Sequence, residues 1–303
     1  MSNLSDRRGS FVVDPAKFQA KINSMSVDEL FTEFAPPIAH IMLPKQKALS
    51  RIMRDVLNQG SVFMKATTDR ADHSYAVDMR TGGLYRVSVE HTEDALEMII
   101  ENSGLVTARG RPEELIPTVA IVGYDGYESV RMKRAAEDQF TPVSLFGKMQ
   151  TTRAGLVFAA KDPEHLRNLE NERKIAVART YEPLYSQFLE QAFGKDHGVH
   201  VRGFKGGVES KPFFLPGVNV IGDLTDSGGS LKELDYSHVI DVSDSAPVIV
   251  SHVDMREHVT EDYVDRIREL SHHLRRASAL AFPDETLFEP SEAVIWAPRR
   301  RSR

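Results

Sequence analysis

Short apolar runs alternate along this chain with stretches whose apolar residues recur every three to four positions, the pattern of strands interleaved with helices. After a polar arm, Asp14-Pro15 places an N-cap before a proline at the first helical position, with Phe18 and Ile22 on one face. Ser26-Val27-Asp28-Glu29 is a capping box for a second short helix carrying Leu30, Phe31 and Phe34, which Pro36-Pro37 ends. Residues 1–37 therefore read as an arm and a helical extension with a role in assembly. Ile38–Leu43 is a short apolar strand, and Ala48, Leu49, Ile52, Met53 and Val56 follow at helical spacing. Strands are predicted over 61–64, 74–77 and 84–89, and a helix over 93–101 with Thr92 as its N-cap. Residues 105–108 and 119–122 are again strands, the second ending in the glycine-rich Gly123-Tyr124-Asp125-Gly126.

Beyond that point strands are predicted at 155–160, 174–178, 199–201, 218–221, 238–242 and 248–252. Helices are predicted from Asp162-Pro163, over 181–193 with Tyr185, Phe188, Leu189 and Phe193 inward, and over 260–280 with Tyr263, Ile267, Leu270 and Leu274 on one face. His272 and His273, adjacent on that last helix, point in different directions and read as surface residues rather than a metal pair. The alternation predicts α/β layers around mostly parallel or mixed sheets.

The stretch Val218–Leu234 carries the clearest chemistry. Its apolar run stops at Gly222-Asp223, and Leu224-Thr225-Asp226-Ser227-Gly228-Gly229-Ser230 leads into a helix from Leu231, with Ser230 as N-cap. A strand turning through glycines into a helix N-terminus collects unpaired backbone N–H groups and the positive end of the helix dipole, an anion site suited to phosphate. Ser227 and Ser230 add hydroxyls. Asp223 and Asp226 add carboxylates, which suit a sugar hydroxyl or a magnesium ion. A plain Gly/Ser/Asp turn uses the same residues. Lys45, Lys47 and Arg51 cluster at the C-terminal end of the 38–43 strand and the start of the next helix, the edge at which open α/β sheets bind ligands.

Composition narrows the setting. A hydrophobic content of 41% and charged content of 27% over 303 residues are those of an ordinary globular chain with a large core. The net charge of −6 argues against nucleic-acid or membrane-surface binding, which want a basic excess. With no cysteine, disulfides, thiolate metal sites and a cysteine nucleophile are excluded, in keeping with a cytoplasmic location. No run nears the roughly 18 apolar residues of a membrane span, and the polar MSNLSDRRGS start is no signal peptide. The basic Arg299–Arg303 stretch reads as a solvated tail.

Several segments, in order, resemble the catalytic subunit of ATP phosphoribosyltransferase, the enzyme that opens histidine biosynthesis. Leu43-Pro44-Lys45-Gln46-Lys47-Ala48-Leu49 is similar to that family's first strand and loop, with Gln46 and Lys47 where glycine and arginine are usual. Arg111-Pro112-Glu113-Glu114 followed by Ile121-Val122-Gly123-Tyr124-Asp125 resembles its arginine–proline segment and strand end. Gly206-Gly207-Val208-Glu209, with Pro212, resembles its glycine–serine–valine–glutamate motif. Asp223–Leu231 resembles its phosphoribosyl-diphosphate loop, with Asp226-Ser227 replacing serine–threonine.

The resemblance implies a two-lobed fold of the type II periplasmic-binding-protein kind with a central cleft. Lobe one would span 38–148 and be completed by 248–280, lobe two would span 149–247, and 281–303 would be a tail too short for the regulatory domain of the family's long form. It also implies 5-phosphoribosyl-1-diphosphate (PRPP) as donor, used with magnesium. Carried over by position, Thr225, Asp226, Ser227, Gly228, Gly229 and Ser230 would hold the 5-phosphate. Asp223 would face the ribose hydroxyls as a catalytic residue, and Glu209 would stand beside the ribose or the magnesium–diphosphate, both carboxylates being candidate metal ligands. Lys45, Lys47 and Arg51, with Gly123 and Asp125 at the neighbouring strand end, would line the diphosphate or acceptor side, where Arg153 or Arg179 could also stand. The acceptor would be ATP at N1 or another heteroaromatic compound of secondary metabolism. Two readings stay open beside this one: a non-catalytic two-lobed protein binding an anionic metabolite, and a regulatory subunit. A homo-oligomer, in the first instance a dimer, is expected.

Overall fold

The structure is a computed structural model that describes residues 15–34, 37–45, 53, 63–67, 74–78, 83–102, 105–107, 115–139, 143–149, 154–205, 207–225, 229–252 and 261–282. Two mixed sheets organise them. The first has the strand order β2 (Phe63–Thr67), β3 (Ser74–Asp78), β4 (Leu84–Glu90), β1 (Ala39–Pro44), β6 (Leu115–Gly123), β13 (Pro247–His252) and β7 (Val143–Lys148), with β5 (Leu105–Thr107) pairing β6 off that path. The second runs β10 (His200–Phe204), β9 (Lys174–Ala178), β11 (Val218–Thr225), β8 (Ala154–Ala160) and β12 (His238–Ser245). The α/β class is as the alternation predicts. The chain passes from the first sheet to the second after Lys148 and returns between Ser245 and Pro247.

Parallel pairing runs through β4–β1–β6 in one sheet and β10–β9–β11 in the other; the outer strands add antiparallel pairs. Central strands covered on both faces lose the polar alternation of a half-exposed strand. In β6 every residue after Leu115 is buried. One face of the first sheet, with Ile41, Val119, Ile121 and Ile249, packs under Ile267, Leu270, Leu274 and Ala277 of the C-terminal helix Glu261–Ala281. The other face, with Met42, Ala120, Val122 and Val248, packs under the helix Thr92–Glu101 and Val130.

The N-terminal extension forms the helices Pro15–Asn23 and Val27–Phe34, and the capping box is made in full. Ser26 N–H donates to Glu29 Oε2 at 2.7 Å and Glu29 N–H to Ser26 Oγ at 3.3 Å. These helices bury Ile22, Leu30 and Phe31 against Tyr75, Val77 and Leu84 of the first sheet.

Other expectations change. The residues after Gly123 form a helix, Tyr124–Ala136, whose polar sequence YDGYESVRMKRAA carries too little apolar periodicity to announce one. Nor does the hydropathy pattern announce the strand Val143–Lys148. Thr92 lies inside its helix, buried, and His91 is the N-cap. The strand read as ending near Gly222 continues to Thr225, and Ser230 falls within the helix Gly229–Glu233 rather than capping it. His273 is buried, at 5% exposure, while His272 is exposed as expected. The helix expected over 48–56 lies, apart from Met53, outside the described residues.

Candidate active site

The site is built at the C-terminal ends of the parallel strands, where backbone N–H groups and loops converge. In the second sheet that edge carries three segments: the 3-10 turn Arg179–Tyr181 after β9, the residues around Glu209 after β10, and the Thr225 end of β11 with the short helix Gly229–Glu233 beyond it. In the first sheet the same edge carries Lys45 after β1 and the N-terminus of the helix Tyr124–Ala136 after β6. That helix joins the two edges. Ser129 Oγ donates to the Thr180 carbonyl, and Lys133 Nζ lies 2.6 Å from Glu93 Oε1 and 3.4 Å from the Arg179 carbonyl.

On the second sheet, Asp223 and Glu209 meet. Their side chains are hydrogen-bonded to each other, although 14 positions apart, because the strand end and the loop before Lys211 converge on one face. The Asp223 carboxyl is pushed up to about 7, first by burial and then by the negative charge of Glu209. Its Oδ1 accepts the Leu224 N–H at 2.8 Å, a bond that favours the ionised form and is outweighed. Glu209 is held from below by Tyr236, whose hydroxyl donates to the Glu209 carbonyl at 3.1 Å. A Cβ at Gly207 would come within 2.7 Å of Glu209 Oε2, so the glycine leaves room for that carboxylate to turn back over the loop.

Under Asp223 the opposite face of the sheet is filled by Tyr185, fully buried on the helix Glu182–Phe193. Its hydroxyl lies 3.0 Å from the Val157 carbonyl and 3.1 Å from the Asp223 carbonyl. Burial, followed by the charge of Asp223, pushes its phenol well above the ordinary range. Tyr181 is fully buried too and is raised by burial and by Asp125.

Asp125 is the second perturbed carboxyl. It is 3% exposed, in the first turn of the helix Tyr124–Ala136, and accepts a hydrogen bond from Ser245 Oγ. Burial pushes it up to about 6 against that bond and two from backbone N–H groups. Its other oxygen, Oδ2, is buried without a hydrogen-bond partner. Tyr124 N–H donates to the Ala246 carbonyl at 2.9 Å, so Gly123–Asp125 grips the strand crossing between the sheets.

The residues expected from sequence therefore divide. Asp223 and Glu209 come together, with Thr225 half-buried at the end of the same strand and Gly229 and Ser230 in the helix that follows. Gly123 and Asp125 sit at the junction of the sheets, and Lys45 is exposed at the edge of the first. Asp226, Ser227, Gly228, Lys47, Arg51 and Arg153 lie outside the described residues. Among the described residues no cluster of three or more His, Asp or Glu forms a metal cage, and no helix is long and apolar enough to cross a membrane. Sequence reasoning missed Ser245, Tyr236 and the hydroxyl role of Tyr185. A serine at a strand end and two inward tyrosines look like ordinary core, and only the fold brings them to the carboxylates.

A family model described as ATP phosphoribosyltransferase matches residues 116–276, more than half of the chain, and takes in Asp125, Glu209 and Asp223. Among curated protein sequences none matches significantly. Among solved structures the chain is similar to the ATP phosphoribosyl transferase (HisG:HisZ) complex from Thermotoga maritima. The identity is 14% and the TM-score 0.49, over 80% of this chain and 99% of that one. It is also similar to the alkanesulfonate-binding protein SsuA from Xanthomonas axonopodis pv. citri, at 12% and 0.48 over 82% and 76%, and to the methionine-binding protein MetQ, at 11% and 0.45 over 84% and 100%.

Proposed function

This chain belongs to the ATP phosphoribosyltransferase family, and from that premise we propose that it moves the 5-phosphoribosyl group of PRPP to a heteroaromatic acceptor, either ATP at N1 or a related heterocycle. The observation that carries this reading is the hydrogen-bonded pair of Asp223, near the end of β11 and close in sequence to the helix Gly229–Glu233, and Glu209, in the loop before Lys211. In this reading the N–H groups at the start of that helix and before it would take the 5-phosphate, and the pair would face the ribose.

In the reaction the acceptor nitrogen's lone pair forms a bond to C1 of the ribose while the C1–O bond to diphosphate breaks and diphosphate leaves with that electron pair. C1 passes through an oxocarbenium-like centre, which an adjacent carboxylate stabilises. Asp223 accepts from the ribose hydroxyls and fixes the ring. Glu209, held by Tyr236, places its negative charge beside the sugar. Placement of the acceptor in the cleft supplies most of the remaining acceleration. Lys45 adds a cation at the facing strand edge for the departing diphosphate.

Magnesium fits this donor set: it is usually bound by one or two carboxylates together with substrate phosphates rather than by an all-protein cage. Glu209 and Asp223 would hold it, and when bound it would neutralise charge on the diphosphate.

The test mixes the purified chain with PRPP, magnesium and a panel containing ATP and other heteroaromatic compounds, with mass spectrometry for a phosphoribosyl adduct and for diphosphate. An ATP adduct identifies ATP as the acceptor, and an adduct on another compound identifies a redirected transferase. If PRPP neither reacts nor raises the melting temperature, the reading is wrong and a metabolite-binding protein takes its place.

A further inference from the structure

We propose that Tyr185 is a positioning residue for Asp223: its hydroxyl, reaching through the sheet from the face opposite the site, holds the Asp223 peptide so that the carboxyl stays turned toward Glu209. The inference rests on the transferase reading for its ligand, though not for its geometry.

Four observations carry it. Asp223 and Val157 are register partners in the antiparallel pair β8–β11, and the Tyr185 hydroxyl lies 3.0 and 3.1 Å from their two carbonyl oxygens. One phenolic proton is thus shared between both strands at the level of the catalytic carboxyl. Tyr185 can come this close because its neighbour on β11 is Gly222. A Cβ there would stand 2.6 Å from the ring's Cζ and 2.8 Å from Val177 Cγ1, so glycine is required for close approach rather than for backbone freedom. The ring has no exposed edge and packs on Phe158 at 4.9 Å between centroids, which fixes the hydroxyl. Finally, Asp223 Oδ1 accepts the Leu224 N–H, so the peptide beside the clamped carbonyl also sets the direction of the carboxyl. An orienting partner of this kind acts on the ligand only through the residue it holds.

The experiment measures PRPP affinity calorimetrically, with magnesium, for the wild type, Tyr185→Phe, Asp223→Asn and the double variant. It also follows hydrogen exchange of the Leu224 amide in the ligand-free proteins. Removing the hydroxyl should weaken PRPP binding roughly tenfold, the low end for loss of an orienting hydrogen bond, with a melting shift of only about 2 to 4 °C. In the Asp223→Asn background the same change should alter affinity by less than about twofold, because residues acting as one unit are non-additive. Leu224 exchange should quicken in Tyr185→Phe. An equal loss in both backgrounds, or no loss in either, overturns the proposal. If the wild type binds no PRPP, the transferase reading falls, and unchanged Leu224 exchange would separately sink the role of Tyr185. Should the Phe variant not fold, 3-fluorotyrosine at 185 keeps the ring and strengthens the donor. Leu224 exchange should then slow, and an unchanged rate overturns the proposal.

Discussion

The side chains of Asp223 and Glu209 share a hydrogen bond, one from a strand end and the other from the loop after a neighbouring strand pair. Two carboxylates in contact repel unless a proton or a cation lies between them. Here the fold adds burial of Asp223 to that repulsion and raises it to about 7. A chain selected for stability alone would place an amide at one of the two positions. Keeping both acids sets two carboxyl groups in mutual repulsion, which a ligand or cation bridging them would relieve. Perturbed acids of this kind gather at functional sites.

Stability should therefore fall as pH rises. Asp223 has an ordinary value of 3.8 and a folded value of about 7, so the native state holds a proton that the unfolded chain releases across that interval. Its contribution is fully present below the lower value and is lost as pH climbs through the higher one. Asp223→Asn has no proton to lose, and its amide can donate to Glu209 in the same place. The variant should match the wild type near about pH 4 and melt several degrees higher near about pH 8, a tenfold change in proton affinity being worth about 1.4 kcal/mol at most. Melting curves across that range check this, and a difference that shrinks with rising pH would sink it.

Turnover should respond in the opposite sense. On the transferase reading, Glu209→Gln and Asp223→Asn each remove a carboxyl group that would stand beside the ribose, and each should lower the rate by roughly 10²–10³-fold, as loss of one preorganised stabilising group does. Because the pair acts as a unit, the double variant should be little slower than the worse single one. Steady-state kinetics with PRPP settle the point; multiplicative losses would mean that the two act separately.

Much of this was legible in the residues. The strand carrying Asp223 and the loop position of Glu209 behind Gly206-Gly207 could be named because strand ends, glycines and carboxylates leave local marks. The helix Tyr124–Ala136 left none: its buried positions are Asp125, Gly126, Ser129 and Val130, mostly polar or small, since it packs between the two sheets rather than on a greasy face. That is why Asp125 read as the carboxylate of a glycine-rich strand end, whereas it stands in the first turn of that helix, at the junction of the sheets. The Asp125–Ser245 contact spans 120 positions, and no local pattern reports a pairing made only by the returning strand. Thr225 read as loop for a related reason, since its strand is extended by antiparallel pairing with Gly155.

The junction gives a prediction of its own. Ser245→Ala removes the hydroxyl donor to Asp125 and leaves a buried carboxyl whose other oxygen already lacks a partner. Loss of a hydrogen bond to a buried acid costs about 1–3 kcal/mol. The cost should be largest where Asp125 is ionised, above its folded value of about 6, and should shrink below it, where the neutral acid tolerates burial better. Urea unfolding at two pH values on either side of that midpoint measures the difference. Equal destabilisation at both would show that packing of the serine, not its bond to Asp125, holds the crossing.

The last prediction concerns Gly222. An added methyl would meet the Tyr185 ring at 2.6 Å and Val177 at 2.8 Å, and both are fully buried with no room to retreat. Gly222→Ala should therefore destabilise the chain by about 1–3 kcal/mol, the usual cost of overpacking, although alanine elsewhere in a strand is no worse than glycine. Pairing it with Tyr185→Leu, which removes the ring atoms in the way, should recover part of that loss. Chemical denaturation of the single and double variants checks both statements. A Gly222→Ala protein as stable as the wild type would mean that β11 can shift away from the helix Glu182–Phe193, and with it the carboxyl of Asp223.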